Sequence, residues 1–171
     1  MSAVTAVTAR AQESAVAPAR VTIRFSQSGA DIAARLMIAR RAWQETDRTG
    51  LAFDESIVRR GIERKIDRRG KYCLLQAEAG SEAVGMLMGV AAPHFHASEL
   101  GASLLSWYVL PEHRGSLAAV KLLHGFRRWA RDRGAVRFYI GVTSGIDVAR
   151  TDRLLRRLGF RQTGANYEAA L

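Results

Sequence analysis

Trp107, Tyr108 and Val109 end an apolar run that breaks at Pro111 and passes through Glu112, His113, Arg114, Gly115 and Ser116 into Leu117, Ala118, Ala119 and Val120. A strand that feeds a helix through glycine and serine leaves the first backbone N–H groups of that helix unpaired, at the positive end of its dipole, which makes an anion cradle. The Ser116 hydroxyl adds a donor and Arg114 a full charge, so a diphosphate would meet several converging donors. The same residues equally suit a plain helix cap after a turn. Local chemistry leaves both readings open.

The elements that must position this segment follow from hydrophobic periodicity. Residues 21–25 read as a short strand, 26–29 as a turn, and Asp31 as the cap of a helix whose apolar face is Ile32, Leu36, Ala39 and Trp43. A second helix is predicted over about 54–67, striped by Ile57, Gly61, Ile62 and Ile66 and otherwise strongly basic. Apolar runs at 72–77 and 83–92, joined by Glu78, Ala79, Gly80, Ser81 and Glu82, predict an antiparallel hairpin. A strand at 103–110 stops at Pro111, and an amphipathic helix over about 116–133 closes at Gly134. A strand at 136–142, a helix at 148–158 ending at Gly159, and a final strand at 160–171 complete the order, which demands an α/β fold with a mixed sheet and packed helices.

The run Val109-Leu-Pro-Glu-His-Arg-Gly-Ser-Leu-Ala-Ala119 resembles the acyl-CoA-binding segment of GNAT acyltransferases, which typically reads V-x-P-x-x-R-G-x-G-x-G or Ala at the last position. Leu154-Leu-Arg-Arg-Leu-Gly-Phe160 is similar to the family's last helix, which ends in Leu-Gly-Phe. The resemblance spans 21–171, a single domain behind a flexible tail at 1–20. It implies a largely antiparallel central sheet with helices on both faces. It also implies acetyl-CoA or a close acyl-CoA as donor, and transfer of the acyl group to an amine by direct attack. Trp107, Tyr108 and Val109 would pair with the pantetheine arm, the backbone of Gly115, Ser116, Leu117, Ala118, Ala119 and Val120 would hold the pyrophosphate, and Arg114 would sit beside it. The cofactor would wedge between splayed strands, expected at 83–92 and 103–110.

Such a reaction needs a base, because a lysine-like amine is mostly protonated at pH 7 and removing its proton costs roughly 4–5 kcal/mol. His94, His96 and Glu99 form a loop cluster that would serve. Histidines two apart also raise a metal reading, but no third ligand stands nearby, so no metal is expected. Glu45 ranks below the histidines as a residue lining the acceptor pocket, and Tyr167 is expected to fill core or to reach the thiol sulfur. Two positions depart from the family pattern. Leu117 replaces a glycine that gives the diphosphate close access. Leu155 stands where many members place a tyrosine that protonates the thiolate, which leaves Tyr167, Ser106, Thr143 or water.

Composition bounds the rest. A net charge of +10, carried mostly by arginine, favours an acidic or phosphorylated acceptor and also motivates a nucleic-acid-binding reading through Arg150, Arg153, Arg156, Arg157 and Arg161. No aromatic residues interleave with that cluster as single-strand stacking would require. A further alternative is a GNAT-fold protein without activity that acts as a binding or regulatory partner, motivated by Leu117 and Leu155. The lone Cys73 excludes an internal disulfide framework and, with the absence of an apolar run of about 20 residues, fits a cytoplasmic protein. Homodimers are common in the family.

Overall fold

In the computed structural model the described residues are 20–27, 29–46, 51–94, 96–167 and 169, so the expected tail lies almost wholly outside them. The chain runs β1 (Val21–Phe25), α1 (Gly29–Glu45), α2 (Glu55–Ile66), β2 (Tyr72–Ala79), β3 (Glu82–Pro93), β4 (Leu100–Val109), a 3-10 turn (Pro111–His113), α3 (Ala118–Arg131), β5 (Arg137–Tyr139) and α4 (Val148–Arg157). The five strands form one sheet in sequence order, antiparallel except for the β4–β5 pair. β4 and β5 are parallel because α3 carries the chain back across the sheet between them.

Residues alternating along the strands divide the core between the two faces. Leu87, Val109, Leu122, Phe126 and Trp129 bury the α3 face. On the opposite face Leu36, Ile62, Ile66 and Leu74 pack under α1 and α2, and Ile38, Met86 and Tyr108 continue the layer.

The helix punctuation follows local chemistry. Asp54 accepts from the Ile57 N–H at 3.0 Å and starts α2. Gly134 (φ +76) and Gly159 (φ +84) adopt the left-handed backbone that closes α3 and α4. Asp31 is not a cap, because α1 starts two residues earlier. Its buried carboxylate accepts from the Gln27 N–H at 2.6 Å and takes a fork of hydrogen bonds from Arg24.

Two strand expectations are corrected. The strand expected at 136–142 shrinks to three residues, and 160–167 form no strand. The segment after Phe160 reads Arg-Gln-Thr-Gly-Ala-Asn, too polar and glycine-broken to bury a face. Phe160 anchors it by an edge-on contact with Phe138 at 5.0 Å, and Asn166 reaches the Val142 carbonyl at 3.4 Å.

Candidate active site

The β4–β5 ladder covers Gly101↔Arg137, Ala102↔Phe138 and Ser103↔Tyr139 and stops there, while β4 runs on to Val109. Just past that point Gly89 faces Leu104 and Met88 faces Ser106, so Leu105 is an extra, bulged residue, and it is half exposed. A bulge bends a strand and frees a residue from the ladder. The opening therefore lies between β4 and β5. It does not lie between 83–92 and 103–110, where β3 and β4 pair from Gly85↔Val109 to Pro93↔Leu100. Connectivity is the reason, since a hairpin zips its two strands together whereas a helical crossover leaves the length of pairing to the shorter strand.

α3 begins at the head of this opening. The turn after β4 passes through Gly115 at φ +101, a conformation that favours glycine, and reaches Leu117 at the helix N-cap. The Ser116 N–H donates to the His113 carbonyl at 3.3 Å, and Ser116 Oγ accepts from the Ala118 N–H at 3.2 Å. The first bond of the helix runs from Lys121 N to Leu117 O at 2.9 Å. Leu117, Ala119 and Val120 thus keep N–H groups that helix geometry leaves unused. Within the expected run from Gly115 to Val120, the N–H groups of Ser116 and Ala118 are spent on local bonds.

Arg114 does not point its charge at those groups. Both of its terminal nitrogens bind the Glu45 carboxylate at the end of α1, and its Nε donates to the Val109 carbonyl at 3.1 Å. The Tyr108 hydroxyl donates to the same carboxylate at 2.6 Å, beneath the guanidinium, which stacks 5.2 Å over the Tyr108 ring. Arg41 on α1 holds Glu112 at 3.1 Å and braces the turn from the same side. Glu45 therefore fixes the turn that shapes the cradle.

The Arg114 guanidinium holds the Glu45 carboxyl below its ordinary value of 4.5, and burial, aided by Glu45, pushes the Tyr108 hydroxyl up to about 12. A folded carboxyl pKa below the unfolded one gives stability that is complete above the unfolded value and is lost as pH falls through the folded one. Glu45→Gln is accordingly expected to be less stable than the parent at pH 7, with the difference shrinking as pH falls below 4.5, measured by urea unfolding across that range. A gap that stays constant with pH would show that the ion pair is not its source.

Arg150, in the first turn of α4, brings its Nη2 to 3.9 Å from where a side chain on Gly115 would begin. In the sequence Arg150 belongs to a basic cluster with Arg153, Arg156, Arg157 and Arg161, and no local spacing signals its approach to Gly115. The other expected residues lie elsewhere. His94, His96 and Glu99 sit at the β3–β4 hairpin tip, the paired end of β4 and β5. There the His94 N–H donates to the Glu99 carbonyl at 3.0 Å and the His94 ring lies 6.3 Å from Tyr139. At about 3.4 Å per residue, Gly101 at that end is roughly 27 Å from Val109 at the cradle. Glu99 and His94 border a shallow hollow of about 350 Å³ there. Tyr167 is 95% exposed and fills no core, because the strand that would have buried it does not form. The Trp107 ring packs against the α3-side core with its indole N–H buried and, among the described residues, unpartnered.

Residues 36–160, most of the chain, match the model of the Acetyltransferase (GNAT) family. The chain belongs to this family. No curated protein matches the sequence. Its GNAT architecture is shared with AAC(6')-Iy, solved with the bisubstrate analogue CoA-S-monomethyl-acetylneamine, at 15% identity and a TM-score of 0.73 over 89% of this chain and 98% of that one. Ribosomal-protein-alanine N-acetyltransferase from Brucella melitensis biovar Abortus 2308 aligns at 16% identity and 0.68, over 88% and 99%. Glucosamine-6-phosphate N-acetyltransferase from Arabidopsis thaliana aligns at 12% and 0.68, over 88% and 98%.

Within this GNAT frame the two departures take on physical form. Leu117 has an ordinary backbone (φ −77°) and turns its side chain to solvent, 62% exposed, so the backbone there does not require glycine. Leu155 is buried in the α3-side core rather than turned to the opening. Cys73 is fully buried, and burial pushes its thiol up to about 12, which makes it inert packing. Among the described residues no helix is long and apolar enough to cross a membrane.

Proposed function

We propose that this protein transfers an acetyl group from acetyl-CoA to a primary amine. The observation that carries the reading is the opening beyond Ser103↔Tyr139, where a strand with a free, bulged edge leads into unused helix N–H groups. The pantetheine arm would pair along the edge of β4 near Trp107 and Val109, as a further strand would. The diphosphate would lie on the N–H groups of Leu117, Ala119 and Val120, with Arg150 as the charged partner. Arg114, committed to Glu45, holds the turn that shapes the cradle.

The amine lone pair would attack the thioester carbonyl. A C–N bond forms, the C–S bond breaks, and the thiolate leaves with the electron pair. A backbone N–H at the Leu105 bulge is suited to stabilise the oxyanion. The amine loses its proton to solvent at the opening beside β4, and the thiolate, whose conjugate acid has a pKa near 8.5, regains one there. The basic surface favours an acidic or phosphorylated acceptor, and the single buried cysteine, Cys73, suits a reducing compartment such as the cytoplasm.

Calorimetric titration with acetyl-CoA and dephospho-CoA tests the donor site, and release of free thiol in the presence of amines tests transfer. Saturable binding is expected, weakened about tenfold in Arg150→Ala, the value of one charge-assisted hydrogen bond. Absence of acetyl-CoA binding would overturn the reading. Binding without thiol release for any amine would instead support a GNAT scaffold that has lost activity.

A further inference from the structure

A long groove lies away from the acyl-CoA site. It has a volume of about 930 Å³ and runs along the outer edge of β1 beside α3 and the end of α2. β1 and β4 are three strands apart, so the groove stands at least roughly 14 Å from the opening.

Its floor is apolar. Ile23 and Phe25, alternate residues of β1, lie beside Leu75, and Phe25 remains 44% exposed. α3 presents Gly125 there, with no side chain to cover Ile23; a Cβ at that position would lie 3.7 Å from the Ile23 side chain and 3.0 Å from that of Leu75.

Its rim is cationic. Lys121 donates to the Val21 carbonyl at 2.6 Å, Arg69 to the Gln27 carbonyl at 3.2 Å, and Arg133 to the Gly70 carbonyl at 3.0 Å. Neutral carbonyls orient these cations without cancelling their charge. Arg128 and His124 add to the rim from the exposed side of α3, and Asp132 is the carboxylate among the described lining residues that faces them.

Among the described residues no strand pairs with the outer edge of β1 between these features. Ser26 donates to the Leu74 carbonyl at 3.0 Å, in register with Phe25↔Leu75. In an antiparallel pair the hydrogen-bonded positions alternate, so Arg24 turns its backbone to β2 and Ile23 turns its N–H and C=O outward, along the groove.

We propose that this groove docks an extended acidic segment of a partner protein, laid along β1 with apolar side chains on Ile23 and Phe25 and carboxylates on the rim. Lys121 takes the Val21 carbonyl and Arg24 the Phe25 carbonyl, which leaves the Ile23 N–H and C=O between them to pair with an added strand, and the unneutralised cations select its charge. The half-exposed Phe25 in an apolar floor suits peptide side chains better than a phosphate backbone.

The test is fluorescence anisotropy of the full chain with a labelled octapeptide of alternating Glu and Val. All-Glu and Lys/Val octapeptides and an eight-nucleotide oligothymidylate serve as comparison probes. The Glu/Val peptide is expected to bind about tenfold more tightly than each of the other three, and Arg128→Glu and Phe25→Ser are each expected to weaken it about tenfold. Acetyl-CoA binding and melting temperature of Arg128→Glu should match the parent. Equal or tighter binding of all-Glu peptide or oligothymidylate would overturn the proposal in favour of general polyanion attraction. So would failure of the Glu/Val peptide to bind, a concentration-dependent dimer abolished by Arg128→Glu, or peptide binding gained only after removal of residues 1–19.

Discussion

Gly89→Ala is expected to destabilise the protein by about 3 kcal/mol, the upper end of what overpacking costs a well-filled core. A Cβ at Gly89 would lie 2.3 and 2.4 Å from Cε2 and Cζ of Phe126 and 3.0 Å from the Ser103 carbonyl oxygen. Phe126 cannot swing aside. It is fully buried, stacked on Trp129 at 5.4 Å and edge-on to Phe138 at 5.0 Å. Gly89 also faces Leu104 beside the bulge, so the strain falls on the wall of the proposed acyl-CoA site. Thermal unfolding should show a midpoint lowered by about 6–12 °C. Because the clash is with one ring, Phe126→Leu in the Gly89→Ala background should restore part of the loss, giving a non-additive double-mutant cycle. Strict additivity of the two changes would show that the cost arises in the backbone instead.

Arg35→Ala is expected to cost about 3 kcal/mol for a different reason, the loss of a buried hydrogen-bonding group and the cavity it leaves. Arg35 stands in the middle of α1 yet is 1% exposed. Its Nη1 donates to Ser26 Oγ at 3.1 Å and to the Leu75 carbonyl at 2.9 Å, and its Nη2 to the Leu87 carbonyl at 3.1 Å, so it pins α1 to β2 and β3. No carboxylate touches it among the described residues. Burial pulls the guanidinium down to about 10, still charged at neutral pH. Desolvating that charge offsets much of what the hydrogen bonds contribute, so Arg35→Met, which fills similar space without charge, should fall within about 1 kcal/mol of the parent. Urea unfolding of both variants decides the point. If Met is as damaging as Ala, the three hydrogen bonds outweigh the cost of burying the charge.

Arg35 also marks a limit of reading the chain alone. Its position belongs to a helix that apolar spacing predicts, but an arginine on a helix is normally solvated, and nothing local says that two sheet carbonyls wait for it. Glu45 and Arg150 are similar cases. Glu45 meets Arg114 across 69 residues of sequence and Tyr108 across 63. Arg150 reaches Gly115 from a helix that the sequence places but does not orient. The histidines are the opposite case, since their chemistry suits a base and the hairpin puts them at the closed end of β4 and β5.

The sequence by itself determined the element order as far as α4, most boundaries and the strand-to-helix turn after β4. These rest on interactions within a few residues: the 3.6- and 2-residue periods, the Asp54 cap, and the glycines that end α3 and α4. The tertiary structure alone decided where the sheet opens, which arginine approaches Gly115, and that 160–167 add no strand. Each of these depends on how long β5 pairs with β4 and on how α1 and α4 lie against the turn after β4. Such contacts form between residues tens of positions apart, and only the closed topology brings them together.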